Sequence, residues 1–286
     1  MALNTRQRVL LYFVQKHGKP VRSTELMKWL FLFGQQEKKD ANHFDFVPYK
    51  FGPFSFEATQ NIRISLAAYL DLGDDGVCVR SGSEYEVTGA TLKLGNSERA
   101  LADTIYRECC SLTLDQLLKS VYGAYPWYAS RSELLPAQIP ERAEIAIYTV
   151  GYEGRSVDSF FDHLMKSGLH GIIDVRRNAY SHKYGFSGHS LQEISTKLDF
   201  SYVHIPALGI ASELRKDVSS SSNLSDLFSN YEKDLVSKSE AIDESIRELK
   251  RLPSALLCFE ADSTFCHRGR LAKSIAKKTG LQIVHL

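Results

Sequence analysis

The chain is poor in cysteine, nearly without tryptophan, balanced in charge and free of long apolar runs. Its five cysteines are odd in number and lack disulfide-like spacing, which excludes a disulfide scaffold and fits a reducing cytoplasm. Lys plus Arg total 35 against 34 for Asp plus Glu, so no global basic field marks a nucleic-acid coat, although local basic patches stay open. No apolar stretch approaches the roughly 18 residues that span a bilayer. The runs at 9–14 and 26–33 are short and interrupted, so no membrane partner is expected. The N-terminus lacks the apolar core and small-residue cleavage site of a signal peptide, and a cytoplasmic location is expected. There is no G-x-G-x-x-G and no Walker A loop, so no nicotinamide or ATP cofactor is expected. There is also no C-x-x-C pair and no H-x-x-x-H. Cys258, Cys266, His267 and His285 are the nitrogen and sulfur donors to weigh. Cys258 falls within an apolar run that reads as a buried strand, which argues against it as a ligand, and no metal is expected.

What is present supports two domains. At 286 residues, 43% hydrophobic and 24% charged, the chain has the size and texture of a soluble globular protein with more than one core. The first half reads as helical. Val9, Leu10, Phe13 and Val14 have amphipathic spacing over 5–17, and Gly18-Lys19-Pro20 stops that helix. Ser23 offers an N-cap for a helix over 24–36, which completes a helix-turn-helix outline. A third helix is predicted from about 56 to 70. Strands at 77–80 and 85–87 around a turn at 81–83 would make a wing. Residues 97–122 read as helical, with Thr113 as a cap. The aromatic run 122–128 can stack bases or wedge one domain against another. The segment Phe46-Val47-Pro48-Tyr49-Lys50-Phe51-Gly52-Pro53-Phe54-Ser55, with the helix and strand pair after it, resembles the Panacea antitoxin domain and related winged-helix modules over about 5–95. That resemblance implies partner binding. Tyr49, Phe51 and Phe54 can equally pack a small core.

From Ile145 the texture changes to alternating strand and helix patterns. The predicted strands are 145–150, 171–175, 201–205, 255–259 and 282–286. The helices between them are 157–167, 191–198, 224–250 and 269–278. The expected fold class is therefore α/β: a mostly parallel sheet domain at 145–286, preceded by a mainly helical winged-helix-like domain at 1–135 and a linker at 136–144.

Polar residues collect where the strands end, and parallel strands bring those ends to one edge. The candidates are Tyr152 after the first strand and Asp174, Arg176, Arg177 and Lys183 after the second. Glu260, Cys266, His267 and Arg268 follow the fourth. Cys266 at a helix start beside cations is placed for a lowered pKa and a nucleophilic role, or else is a buried structural thiol. Glu260 and Asp174 suit a general base or a nucleophile at a sugar carbon, or else an ion pair with an arginine. Arg176, Arg177, Lys183, His267 and Arg268 suit anion binding, phosphate first, and Tyr152 suits stacking on the ligand.

Val150-Gly151-Tyr152-Glu153-Gly154-Arg155, Asp174-Val175-Arg176, Ser181 with 183–187, Leu208-Gly209, and Leu257-Cys258-Phe259-Glu260 with Cys266-His267-Arg268 resemble the domain of unknown function 488 family over about 146–286. The family's usual proline is here Ala179, in the arginine loop. The resemblance implies no reaction, so the chemistry rests on the residues. Two readings follow. One is an enzyme, a hydrolase or glycosidase acting on a nucleotide or nucleic acid, with an N-terminal DNA- or protein-binding module. The other is a non-enzymatic regulator whose α/β domain senses a small anion.

Overall fold

A computed structural model describes residues 3–36, 43–74, 76–80, 92–135, 141–210 and 221–286, the first three of the last segment by backbone only. The chain divides into two compact units, Met1–Ile139 and Pro140–Leu286.

The N-terminal unit is mainly helical. Helix α1 (Thr5–His17) starts with a capping box between Asn4 and Gln7 and ends at Gly18, whose φ of 70° suits glycine. Helix α2 begins at Ser23 itself and runs to Gln36. Strands β1 (Val47–Tyr49) and β2 (Gly52–Phe54) form a hairpin around Lys50-Phe51, and Pro53 lies in its second strand. The third predicted helix is shorter than its pattern. Helix α3 (Phe56–Gln60) passes into a wider turn over Asn61–Ser65, so the predicted helix gives way before residue 70, where β3 (Leu70–Gly73) begins. Strand β3 pairs with β4 (Gly76–Val79). The strand pair therefore lies one strand earlier than predicted; the segment 81–87 lies outside the described residues. Helices α4 (Asn96–Cys109), α5 (Leu114–Ala124, capped by Thr113) and α6 (Pro126–Ala129) complete the unit. Their aromatic run packs inward within it. Tyr125 and Tyr128 meet Phe31 edge-on at 5.0 and 4.7 Å, and the Tyr122 and Ser132 hydroxyls are 2.9 Å apart.

The C-terminal unit is a five-stranded parallel sheet with helices between its strands. Its elements are β5 (Ile147–Gly151), α7 (Val157–Lys166), β6 (Gly171–Asp174), α8 (Gly188–Lys197) and β7 (Ser201–His204). They continue as α9 (Ser221–Ser237), α10 (Ser239–Arg251), β8 (Ser254–Cys258), α11 (His267–Thr279) and β9 (Ile283–His285). The long predicted helix 224–250 is thus two helices, broken at Lys238. The strand order is β7-β6-β8-β5-β9, and every pair is parallel. Strands β5, β6 and β8 are buried along their whole length, which is why they read as unbroken apolar runs. Ile173, Leu256, Ile246, Leu249, Leu271 and Ile275 share one core that joins the sheet to α10 and α11. Each such buried side chain stabilises by about 1.5–3 kcal/mol.

The order of strands positions the site. After β6 the chain moves outward to β7; after β8 it moves the other way, past β5, to β9. Adjacent strands β6 and β8 therefore send their connections in opposite directions. In an open α/β sheet that is the crevice where ligands bind, at the carboxyl ends of the strands.

Candidate functional site

Three loops meet at this crevice: 151–155 after β5, 174–187 after β6 and 258–267 after β8. Their packing is close. A Cβ at Gly151 would overlap the Glu260 carbonyl oxygen, so only glycine allows the two loops to touch there. The Val175 and Glu153 amides donate to the Leu257 and Phe259 carbonyls at 3.2 and 2.9 Å.

The inner layer of the site is fully engaged with itself. Asp174 is wholly buried and accepts from Arg176 Nε at 2.8 Å, Arg176 Nη2 at 2.5 Å, the Arg176 amide at 3.1 Å and the Tyr202 hydroxyl at 2.8 Å. Arg176 Nη1 donates to the Tyr152 hydroxyl at 3.0 Å and the Phe186 carbonyl at 2.9 Å. His204 Nε2 lies 2.9 Å from the Arg176 carbonyl oxygen. Tyr152 is buried, stacked on Phe186 with centroids 4.2 Å apart, and covered by the Arg176 guanidinium. These positions correct three expectations. Asp174 is not a free base, because its lone pairs are occupied and its partner is an arginine. Arg176 does not offer its fork to an outside anion, because its donors hold the loop. The Tyr152 ring is not open to stack on a ligand, because it is buried and already stacked on Phe186.

The second group corrects the thiol. Cys266 caps α11 from its N-terminus, as the pattern suggested, but it is 1% exposed. Burial pushes its pKa far up, and the neighbouring Cys258 and Glu260 add to the rise. It is therefore a protonated buried thiol rather than a thiolate. His267 is buried as well, so it is closed to a substrate. Its Nδ1 lies 3.7 Å from Cys258 Sγ and 4.0 Å from Cys266 Sγ, and its Nε2 lies 3.0 Å from the Val175 carbonyl oxygen. Arg268 is buried and clamps the loop: Nη1 donates to the Glu260 carbonyl, and Nη2 donates to the Ala261 carbonyl at 2.7 Å. Its expected phosphate role gives way to this structural one. Glu260 is half-buried. The Cys258 thiol donates to its Oε2 at 3.2 Å, and burial, followed by Cys258, raises its pKa.

The outer layer faces solvent. Arg177, His182 and Lys183 are exposed on the β6 loop, interleaved with Tyr180 (68% exposed) and Tyr184 (37%). The β8 loop adds Phe259 (44%) and Phe265 (61%). Of the residues singled out as anion ligands, Arg177 and Lys183 keep that exposure. The sequence reading passed over the four exposed rings as site residues. The alternation of rings and cations over 177–184 was their signal.

The N-terminal unit has a site of its own. The hairpin β1–β2, α2 and α3 enclose a cavity of about 390 Å³ lined by Met27, Lys28, Tyr49, Phe51, Phe54 and Ile62. Tyr49 and Phe54 are half-buried, their rings 5.1 Å apart, and Phe51 is 44% exposed. The aromatic motif thus serves both core and surface. Lys28, buried at the cavity's base, donates through Nζ to the Pro53 carbonyl at 3.0 Å.

Comparison with known proteins adds a family match over part of the chain and no activity. Residues 156–275 match the model of the family described as Domain of unknown function DUF488. The match lies within the C-terminal unit and includes the β6 and β8 loops; the resemblance of 5–95 to the Panacea antitoxin domain rests on sequence pattern alone. No curated protein and no solved structure matches the chain. Among the described residues, no helix is long and apolar enough to cross a membrane.

Proposed function

We propose that the C-terminal unit binds a nucleotide or nucleic acid at the carboxyl edge of its sheet and acts on it there, with the N-terminal unit serving as a DNA- or protein-binding module. The observation that carries this reading is the outer layer of the site. Four exposed aromatic rings and three basic side chains sit on two loops flanking the β6–β8 crevice. Rings supply stacking surfaces for bases, and cations supply phosphate contacts. The inner layer does a different job: Asp174, Arg176, Tyr152 and Arg268 fix the loops on which the outer residues stand. Of the three side chains first nominated for chemistry, Glu260 alone keeps partial exposure, and it is the residue assigned to proton transfer or attack at a sugar carbon.

The test joins binding to turnover. A labelled single-stranded oligonucleotide and a mononucleotide are titrated into the full chain at rising salt. Phe265→Ala should weaken binding by about 1–3 kcal/mol through lost stacking. Arg177→Ala with Lys183→Ala should weaken it and flatten the salt dependence. Glu260→Gln should keep binding and lose turnover. Absence of saturable binding, or affinity indifferent both to Phe265→Ala and to the Arg177→Ala with Lys183→Ala change, would refute the reading.

A regulator reading draws on a separate observation. Cys266 and Asp174 are buried and committed to partners within the unit, so two nominated reactive groups are closed to a substrate. Under that reading the same edge senses the ligand without converting it. Binding with the mutational pattern above but no turnover in wild type selects it.

A further inference from the structure

The β8–α11 junction gathers soft donors that the nucleotide reading does not use. The metal-binding atoms of Cys258, Cys266 and His267 all lie within 4.8 Å of one another, and all three residues are buried. A tetrahedral ion bonded to sulfur at about 2.3 Å and to nitrogen at about 2.0–2.1 Å sets donor–donor edges of roughly 3.5–3.8 Å. The two thiols stand 3.7 and 4.0 Å from His267 Nδ1, so small side-chain movements bring both onto such edges.

The imidazole is oriented for the task. Nε2 faces the Val175 carbonyl at 3.0 Å, which requires that nitrogen to carry the proton and leaves the Nδ1 lone pair facing the thiols. A metal-binding histidine is commonly fixed in this way, by a carbonyl on its other nitrogen. The frame around the donors is rigid. Cys258 ends a buried central strand, His267 opens α11, and Arg268 pins the connecting loop through the Glu260 and Ala261 carbonyls. The Glu260 carboxylate accepts from the Cys258 thiol at 3.2 Å and lies beside the three donors without being one of them.

We propose that Cys258 Sγ, Cys266 Sγ and His267 Nδ1 bind a divalent cation of the zinc class. Two thiolates and one imidazole select a borderline-soft ion over magnesium or calcium, which take oxygen. Two thiolate charges neutralise the ion, and each thiol gives up its proton to solvent as the metal binds. The sequence rule failed here because it looked for two cysteines in one tight turn. The strand end and the helix start supply them from opposite sides of a loop.

Cobalt(II) is the probe, with the full chain reduced, stripped by chelator and held free of oxygen. One equivalent of Co²⁺ should saturate the site, with a thiolate-to-cobalt charge-transfer band in the near ultraviolet that Zn²⁺ then abolishes. Cys258→Ser, Cys266→Ser and His267→Gln should each weaken Co²⁺ binding at least about tenfold, as loss of a ligand demands. Cys110→Ser, an exposed cysteine of the N-terminal unit, should leave it unchanged. If a variant misfolds by circular dichroism, the wild-type band decides. Uptake of Co²⁺ without thiolate charge transfer, or no uptake by the reduced protein, overturns the site. So does a band that survives in folded Cys266→Ser. The measurement needs no nucleotide, so its outcome is separate from that of the binding test above.

Discussion

Lys28→Met should stabilise the N-terminal unit at neutral pH and cease to do so in alkali. Lys28 is 2% exposed, and burial takes its ammonium from an ordinary 10.5 down to about 7. The unfolded chain holds that proton up to about pH 10.5 and the folded chain only up to about 7. Between those values unfolding takes up a proton, so the contribution of Lys28 to stability rises with pH. Below about 7 both states hold the proton and the penalty is flat. At about 1.4 kcal/mol per pH unit of the gap, the penalty is on the order of 4 kcal/mol at pH 7 and about 1 kcal/mol at pH 10. Methionine removes it but leaves the Pro53 carbonyl without its donor, a loss of about 1–3 kcal/mol. The variant should therefore be more stable than wild type by about 1–3 kcal/mol at pH 7, and equal or less stable at pH 10. The chain's two tryptophans, Trp29 and Trp127, both lie in the N-terminal unit, so their fluorescence follows this unit within the full chain. Urea titrations of both proteins at several pH values give the difference. A stability difference that stays constant from pH 7 to pH 10 refutes the argument, because no titrating group would then separate the two.

Arg176→Met should destabilise the C-terminal unit by about 3–5 kcal/mol, since it leaves the buried Asp174 charge without its cation. Hydrogen exchange at the β6 amides checks it, and β6 protection equal to wild type would return Arg176 to the ligand-binding role. Cys266 and Cys258 should resist alkylation in the folded protein while Cys110 reacts, because only Cys110 of the three is exposed. Mass mapping after a brief pulse of iodoacetamide decides, and early labelling of Cys266 would restore the thiolate reading.

The sheet was legible because its three central strands are buried on both faces. Residues 171–173 and 255–258 show as apolar runs with no polar side to hide, and their order along the chain implied a parallel sheet. The N-terminal strand pair was harder. The helical pattern runs on to about residue 70, but α3 ends at Gln60 and the chain reaches β3 at Leu70 because β4 offers a partner ladder, a tertiary effect that local pattern does not carry. The break between α9 and α10 was hidden for the opposite reason: the apolar spacing continues through Lys238 although the backbone does not.

At the site, the strand ends told where residues would meet but not how deep they would lie. Depth depends on what the neighbouring loop brings. Asp174 and Arg176 are two residues apart and satisfy one another, so the pair can be buried; Arg177, one step on, has no such partner within the strand end and faces out. The same logic separates Cys266 from Phe265. The thiol turns inward because Cys258, Glu260 and His267 form a polar pocket for it. The far larger apolar ring stays 61% exposed, against the hydrophobic gradient. A protein that hides its small polar residues and displays its rings at one loop edge has reversed the usual ordering there. That reversal follows if the outer residues meet a ligand and the inner ones hold the frame, and it is the physical ground on which the proposed function rests.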